Sequence, residues 1–369
     1  MKIKCEKNIL LEQVNIVSKA VSSRSTLPIL ECVLLSVVEG AFKLTSNDLE
    51  MAIETAPIPS EIFEEGIVAL EAKMFFEIVR RLPEGMVSIS TDGNHVTVIK
   101  CAKSQFKILG LAGDEFPAMP YVEKTNAYVI NAADFKSMVR KTVFAVSIDE
   151  TKPVMMGELL EIKEGVLHIV AVDGFRLAYC KKPIEQHASD VNMVIPAKTL
   201  NELSKILPGD GNEIITLYAT DKHVLIETEG YTVVSRVLEG DFIKYEPLFM
   251  GDYKTVVTAS RQMLVMGLER ASLIASKEVK KKPIKFKIED DLLVISSNAE
   301  TGNVTDEINV QMDGSALEIA FNPRYLIDAL KTIEDDVVSM RFTTPLSPCI
   351  IKGEDSDEAK YLVLPLRLQ

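Results

Sequence analysis

The residues that could carry acid–base or metal chemistry are few and widely separated. The four histidines of this 369-residue chain, His95, His168, His187 and His223, lie far apart in the sequence. His168 and Asp173 are the kind of pair that an enzyme acting on DNA or a metabolite would need. The chain has no glycine-rich phosphate loop, no GxSxG motif and no HExxH motif. We therefore expect no catalytic residue, no bound metal and no cofactor, with such an enzyme kept as an alternative hypothesis.

Three other groups of reactive or charged residues have simple interpretations. The five cysteines form no CxxC pair, and their odd number favours buried, reduced thiols. The acidic run EDSDE at 354–358 lacks EF-hand spacing, which favours a solvated hairpin tip over a calcium loop. Lys280–Lys282 could contact phosphate or form a solvated face.

The overall charge and hydropathy restrict the class of protein further. Glu6 and Lys7 interrupt the apolar stretch that a signal peptide would need, and no segment approaches the roughly 18 apolar residues of a membrane span. We therefore expect a cytoplasmic protein. A net charge of −13 argues against a protein that binds nucleic acid over its whole surface.

The elements that must position any site repeat three times along the chain. The segments EAKMFFEIVRRLPEG, PAKTLNELSKILPGD and NPRYLIDALKTIEDD align on Lys73, Lys198 and Arg324, at spacings of 125 and 126 residues. Their apolar positions recur at three-, four- and seven-residue steps, which predicts one buried helical face. A second amphipathic pattern begins at Leu10, Phe135 and Leu264, so its three copies are spaced along the chain much as the copies of the first pattern are.

Segments rich in β-branched residues separate these predicted helices. Examples are 29–38, 86–100, 158–173 and 224–238, which are broken by turn pairs such as Asp-Gly and Glu-Gly. The sequence therefore predicts an α+β fold of three similar domains, each with antiparallel sheet and two helices. The expected domains are 1–124, 125–251 and 252–369.

Positive charge is concentrated on the predicted helices. The six helical segments sum to +7, which leaves −20 on the other residues. If all six helices face one way, a polyanion could run along that face while the acidic remainder repels it elsewhere.

Several motifs resemble those of the bacterial DNA polymerase III beta subunit family. They are TLPIL at Thr26–Leu30, NDLEM, DEFP, AVDGFRLA, FNPRYLIDAL and the terminal YLVLPLRL. The resemblance covers the whole chain and implies the DNA clamp fold. In that fold a head-to-tail homodimer forms a ring around double-stranded DNA without sequence preference.

The resemblance also implies a site for partner peptides between the second and third domains. Short linear motifs with apolar anchors suit such a site. The matching positions are Met155, Val172, Gly174, Phe175, Arg176, Leu177, Ile243, Pro247, Leu248, Val363, Leu364, Pro365, Leu366 and Arg367.

Positions that match DNA contacts and the subunit interface follow from the same resemblance. The DNA-contacting positions are Arg24, Lys152 and Lys198. The interface positions are Lys103, Phe106 and Ile108 on one side and Leu273, Ile274 and Glu300 on the other. An apolar patch at each end of a curved monomer is what a head-to-tail ring that closes by rotation needs.

The resulting hypothesis is a processivity factor of DNA replication that slides along duplex DNA. Its implied partners are the DNA polymerase III alpha subunit, a clamp loader that supplies ATP, and other replication and repair proteins that carry clamp-binding peptides. The alternative is a peptide-binding scaffold that does not encircle DNA.

Overall fold

The computed structural model describes residues 1–22, 25–275, 283–299 and 302–367. Arg24, Glu300 and Lys280–Lys282, which the sequence analysis singled out, lie outside the described residues. None of the described helices is long and apolar enough to cross a membrane.

The described ranges contain six α-helices, and these occupy the positions that the repeat predicts. They are α1 Lys7–Val17, α2 Ala72–Arg81, α3 Ala132–Thr142, α4 Ala197–Ile206, α5 Arg261–Ala275 and α6 Pro323–Thr332. Carboxylate or amide side chains cap several of them: Glu71 accepts hydrogen bonds from the first-turn amides of α2, and Asn322 from that of α6. The helices α2 and α4 end two residues before Pro83 and Pro208, as predicted.

The first helix of the first two repeats ends earlier than the apolar pattern predicts. After α1 and α3 the chain continues as short 3-10 turns, whereas α5 continues without a break to Ala275. The hydroxyl of Ser18 donates to the carbonyl oxygen of Val14 (2.6 Å), and that of Thr142 donates to the carbonyl oxygen of Met138 (2.9 Å). Such side-chain bonds compete with helix continuation, which accounts for the early ends.

Strands form the rest of the fold, and all their pairings are antiparallel. In chain order they are β1 Lys2–Glu6, β2 Cys32–Val38, β3 Ala41–Asn47, β4 Met51–Thr55, β5 Ser60–Glu64, β6 Gly66–Glu71, β7 Met86–Thr91, β8 Val96–Cys101, β9 Ser104–Leu109, β10 Leu111–Ala112, β11 Tyr128–Asn131, β12 Gly157–Lys163, β13 Val166–Val172, β14 Arg176–Pro183, β15 Val191–Pro196, β16 Ile214–Ala219, β17 His223–Glu227, β18 Tyr231–Arg236, β19 Thr255–Ser260, β20 Ile284–Glu289, β21 Leu292–Ala299, β22 Gly302–Asn309, β23 Gln311–Gly314, β24 Leu317–Phe321, β25 Val337–Phe342, β26 Cys349–Gly353 and β27 Ala359–Val363.

The chain divides into two compact units, each with two sheets. The N-terminal unit holds Met1–Ala133, Glu185–Ala188 and Lys198–Val237, and the C-terminal unit holds the remaining described residues. The N-terminal sheets have the orders β5-β1-β7-β8-β9 and β10-β6-β2-β3-β4-β18-β17-β16-β11. The C-terminal sheets have the orders β15-β12-β13-β14-β27-β26-β25-β19-β23 and β22-β21-β20-β24.

Each nine-stranded sheet contains strands from two of the predicted domains. In the N-terminal unit β4 pairs with β18, so that Thr55 lies opposite Tyr231. In the C-terminal unit β14 pairs with β27, so that Arg176 lies opposite Val363. These two ladders join consecutive repeats through backbone hydrogen bonds.

The helices cover the sheets with the apolar faces that the sequence predicts. In the N-terminal unit α1 packs on α2, and Leu10, Val14 and Phe75 are fully buried. In the C-terminal unit α5 packs on α6 and on β21 and β22, with Leu264 and Leu268 in the core. Burying each such side chain contributes roughly 1.5–3 kcal/mol to stability.

Candidate functional site

A cluster of apolar and aromatic side chains in the C-terminal unit brings together four of the predicted peptide-site residues. Val172 and Leu177 are buried in it, and Met155 and Ile243 pack against it half-buried. The strands β13 and β14 supply Val172 and Leu177 from opposite sides of one hairpin, where the two residues lie in register. Gly174 forms the turn at φ +89°, a conformation that L side chains rarely adopt.

The C-terminal segment lies beside this hairpin. β27 continues the sheet next to β14, and beyond Val363 the amide of Leu364 donates to the carbonyl oxygen of Phe175 (2.9 Å). The amide of Leu366 donates to the carbonyl oxygen of Ala320 (2.8 Å). Leu364, Leu366 and Arg367 are exposed and Pro365 is half-buried, so this segment offers apolar side chains at the surface.

A 3-10 turn at Glu246–Phe249 holds two further predicted positions. Pro247 and Leu248 are exposed on it. The ring of Phe249 packs on Tyr179 at 5.5 Å between centroids, and its carbonyl oxygen accepts from the Tyr253 hydroxyl at 2.8 Å. The turn is therefore anchored while Leu248 stays available to a ligand.

Arg176 has a different role from the other predicted members. Its guanidinium donates to Asp173 (2.9 Å), to Asp328 (2.6 Å) and to the carbonyl oxygen of Phe144 (2.7 Å). It also lies over the ring of Tyr325, 4.7 Å from the centroid. Because these contacts use the planar fork, Arg176 positions the site, and its guanidinium is not left free for a peptide.

Tyr325, which is not one of the predicted positions, contacts two of them, Phe175 and Arg176. Its ring stacks on the exposed ring of Phe175 with centroids 6.3 Å apart. Phe175 is 56% exposed, so the stacked pair forms an aromatic surface beside Leu364. The signal was present in the FNPRYLIDAL motif, but only the fold brings that helix next to the β13–β14 turn.

The hypothetical acid–base pair is not supported. His168 Nδ1 is hydrogen-bonded to the Tyr179 hydroxyl at 2.9 Å, and burial lowers its pKa. Asp173 accepts from the backbone amides of Phe175 and Arg176 and from the Arg176 side chain. Each member is thus engaged in holding the local structure, and no group of residues in the described ranges could hold a metal ion.

The acidic run and the cysteines lie where the sequence predicts. The run 354–358 connects β26 to β27 as a hairpin tip, where Asp357 pairs with Lys352 (3.0 Å) and Lys360 (3.4 Å). All five cysteine side chains are buried, and burial raises the pKa of the Cys32 and Cys180 thiols to about 11. Such thiols stay protonated at neutral pH and react slowly.

Two of the predicted DNA-contact positions, Lys152 and Lys198, are described by the structure and lie on exposed parts of two segments. Lys152 immediately precedes the 3-10 turn at Pro153–Met156 and is exposed. Lys198 lies in the first turn of α4 with its side chain 53% exposed, but its ammonium pairs with Asp48 and approaches Glu50 at 3.9 Å. A phosphate would have to compete with these carboxylates for Lys198.

The predicted interface positions occupy an edge strand and a helix end. In the N-terminal unit β9 is the edge of its sheet and carries Phe106 and Ile108, and Lys103 lies exposed in the turn before it. In the C-terminal unit β22 is the edge of its sheet, and α5, which packs on it, carries Leu273 (64% exposed) and the half-buried Ile274 in its last turn.

Repeated α+β modules joined edge to edge by antiparallel strands are the architecture of ring-forming DNA clamps. Three family models match the chain in succession: the N-terminal domain of the DNA polymerase III beta subunit at residues 1–120, its central domain at 129–244 and its C-terminal domain at 247–367. The chain belongs to the DNA polymerase III beta subunit family.

Full-length relatives agree with this assignment. The beta sliding clamp of Halalkalibacterium halodurans is 35% identical over 98% of both chains, and that of Bacillus subtilis is 33% identical over 100% of both. The crystal structure of the Bacillus subtilis sliding clamp matches with a TM-score of 0.95 over 100% of both chains at 33% identity. The DNA polymerase III beta subunit of Thermotoga maritima matches with a TM-score of 0.94 at 30% identity and the same coverage.

Proposed function

We propose that this chain is a processivity factor of DNA replication, a homodimeric ring that encircles duplex DNA and tethers DNA polymerase. The pattern of strand pairing carries this proposal. The strands β4, β14 and β22 begin 125 and 126 residues apart, and β9, β18 and β27 begin 127 and 128 residues apart. They are therefore equivalent strands of the three repeats.

Within one chain, a strand of the first set pairs with a strand of the second set in the next repeat. This rule holds for β4 with β18 and for β14 with β27. In the part of the chain that the structure describes, it leaves β22 and β9, both at sheet edges, without a partner of this kind. Pairing of β22 with β9 of a second copy, and the reverse, extends the rule and closes a head-to-tail ring of two chains and six domains.

The interface predicted from the resemblance fits this closure. Leu273 and Ile274 extend the β22 side with apolar surface, and Phe106 and Ile108 provide apolar residues on β9. Strand pairing across the interface satisfies the backbone groups of both edges, which otherwise invite uncontrolled association. We place the domain boundaries at 1–124, 125–251 and 252–369.

Tethering uses the peptide site of the C-terminal unit. The side chains of Phe175, Leu248, Leu364 and Leu366 are exposed, and nearby positions of the chain, Leu177, Phe249 and Leu362, pack in or against the buried cluster. A short peptide with apolar anchors gains affinity there because few of its residues need to be ordered. Polymerase III alpha subunit, clamp loader and repair proteins would bind through such peptides.

DNA is held by enclosure and weak phosphate contacts, and the chain acts without catalysing a reaction. Lys152, Lys198 and Arg24 are the proposed contacts, with Lys198 exchanging its carboxylate partners for phosphate. Because the sequence has no nucleotide-binding loop, loading onto DNA in the cytoplasm requires an ATP-driven loader.

Retention on DNA of different topology tests this function. Rings loaded onto nicked circular DNA should survive salt that removes a groove-binding protein, because enclosure does not depend on counterion release. After the circle is linearised, the ring should slide off within the same assay. A peptide scaffold that does not encircle DNA would show equal retention on both forms, and that result would exclude the ring.

A further inference from the structure

The N-terminal unit contains a cavity of about 600 Å³ that has no part in the peptide site. Its walls are one face of α1, the end of α4, the start of β16 and the turn between β17 and β18. The volume lies within the range of sites for small organic molecules.

The charged side chains that line this cavity, among the described residues, are acidic. Glu12, Glu213 and Glu229 line it, and its described lining includes no lysine, arginine or histidine. These carboxylates do not form a cluster that could hold a metal ion, as judged over the described ranges. The cavity therefore suits a ligand with several separated positive charges better than a single ion.

Two polar side-chain atoms of the wall have no hydrogen-bond partner among the described residues. The hydroxyl of Tyr231, a residue only 6% exposed, and Oε1 of Gln13 make no hydrogen bond to any described residue. Burial, and to a smaller extent the charge of Glu213, raises the pKa of Tyr231. Both oxygens can accept an N–H, and buried polar groups normally have such a partner.

The remaining walls are aliphatic. Ile16, Leu207 and Ile215 are buried at the cavity, and Ile214 is partly exposed in it. An aliphatic chain could lie on these side chains while its charged groups reach the carboxylates, as lysine stems do on protein surfaces.

We propose that this cavity binds a linear aliphatic polyamine. Its ammonium groups pair with Glu12, Glu213 and Glu229, its methylene groups lie on the isoleucine and leucine wall, and one ammonium donates to Gln13 Oε1 or the Tyr231 oxygen. Carboxylates and aliphatic side chains line the same cavity, and a linear polyamine carries the complementary ammonium and methylene groups in one molecule.

Calorimetric titration of spermidine into the full-length, DNA-free protein tests the site. We expect saturable binding at about 0.1 M salt, where longer-range attraction to the acidic surface is screened. The double variant Glu213→Gln/Glu229→Gln should bind at least tenfold more weakly, and Gln13→Met at least threefold. The matched control Glu123→Gln removes an exposed carboxylate elsewhere in the unit and should leave binding unchanged.

The other outcomes decide against the site. Equal weakening by Glu123→Gln and the double variant would mean general attraction to an acidic protein. Absence of saturable binding would mean that water fills the cavity. Binding of a peptide with one lysine, without binding of spermidine, would mean that a partner's side chain is the ligand. Tyr231→Phe, checked for folding by circular dichroism, provides an independent variant of the same wall.

Discussion

The carboxyl group of Glu158 is completely buried, which is unusual for an acidic side chain. Burial raises its pKa from 4.5 to about 8, and its side chain is hydrogen-bonded to the hydroxyl of Thr142. In the first repeat, 125 residues earlier, Val17 stands at the position of Thr142 and Val33 at the position of Glu158, and both valines are buried. A neutral Glu158 can donate its proton to Thr142, which itself donates to the carbonyl oxygen of Met138.

This raised pKa predicts that stability falls as pH increases. Between the unfolded value near 4.5 and the folded value near 8, the folded chain keeps a proton that the unfolded chain releases. Stability from this group is complete below the unfolded pKa and is lost as pH rises through the folded pKa, with a slope of at most about 1.4 kcal/mol per pH unit.

Urea unfolding of Glu158→Gln between pH 5 and pH 8.5 measures the effect. The variant should lose this part of the pH dependence, because glutamine does not titrate and its amide can still donate to Thr142. The control is Glu164→Gln, which changes an exposed carboxyl group in the turn between β12 and β13 and should keep the wild-type slope. Parallel pH profiles for the wild type and Glu158→Gln would contradict a buried, raised-pKa carboxyl.

Arg176 provides a second prediction at the level of one side chain. Arg176→Met should lower the free energy of unfolding by about 3 kcal/mol, since Asp328 and the Phe144 carbonyl oxygen lose a buried partner. The affinity for a polymerase peptide should fall as well, because Tyr325 and Phe175 lose their support. Chemical unfolding and fluorescence polarisation measure the two effects.

The matched control for Arg176 is Arg324, which approaches the same aspartate. Arg324 is 74% exposed and lies 3.9 Å from Asp328, so Arg324→Met should change stability by less than about 1 kcal/mol. If Arg176→Met bound peptide as tightly as the wild type does, Arg176 would have no positioning role.

At the level of elements, the sequence predicted what local patterning determines. The six helices follow from apolar periodicity, and the stops at Pro83 and Pro208 follow from proline chemistry. Partner choice could not be predicted in this way. The pairing of β4 with β18 and the ion pair of Lys198 with Asp48 join residues about 150 or more positions apart, and no local pattern encodes them.

The last turn of α5 is the element that we expect to control assembly. Leu273→Glu combined with Ile274→Glu should convert the dimer into folded monomers, because the change places charges in an apolar contact. Light scattering after size exclusion measures the mass. Met263→Glu changes an exposed apolar residue in the first turn of the same helix and should leave the dimer intact.

Loss of structure in the double variant would mean that these two side chains belong to the core of the C-terminal unit. Circular dichroism separates that outcome from dissociation. A persistent dimer with native structure would move the interface away from α5.

At the level of the whole molecule, enclosure of DNA and binding of partners draw on different structural features. Ring closure uses the sheet edges β9 and β22, whereas partner binding uses the side chains around the β13–β14 turn and the C-terminal segment. Each nine-stranded sheet is complete without residues beyond Val363, since β27 ends there. The two functions should therefore separate by mutation.

Deletion of all residues from Leu364 onward makes this separation testable. Among the described residues, the truncated chain keeps the β14–β27 ladder and loses the backbone bonds from Leu364 to Phe175 and from Leu366 to Ala320, together with the exposed leucine anchors. Affinity for a labelled polymerase C-terminal peptide should fall by roughly thirtyfold or more, the loss of about 2 kcal/mol that one anchor typically carries. Dimer mass and retention on circular DNA should match the full-length chain.

The converse variant Lys198→Gln should weaken DNA contacts and leave peptide affinity unchanged. If truncation released DNA, or Lys198→Gln abolished peptide binding, the two sites would be coupled and the separate assignments would be wrong.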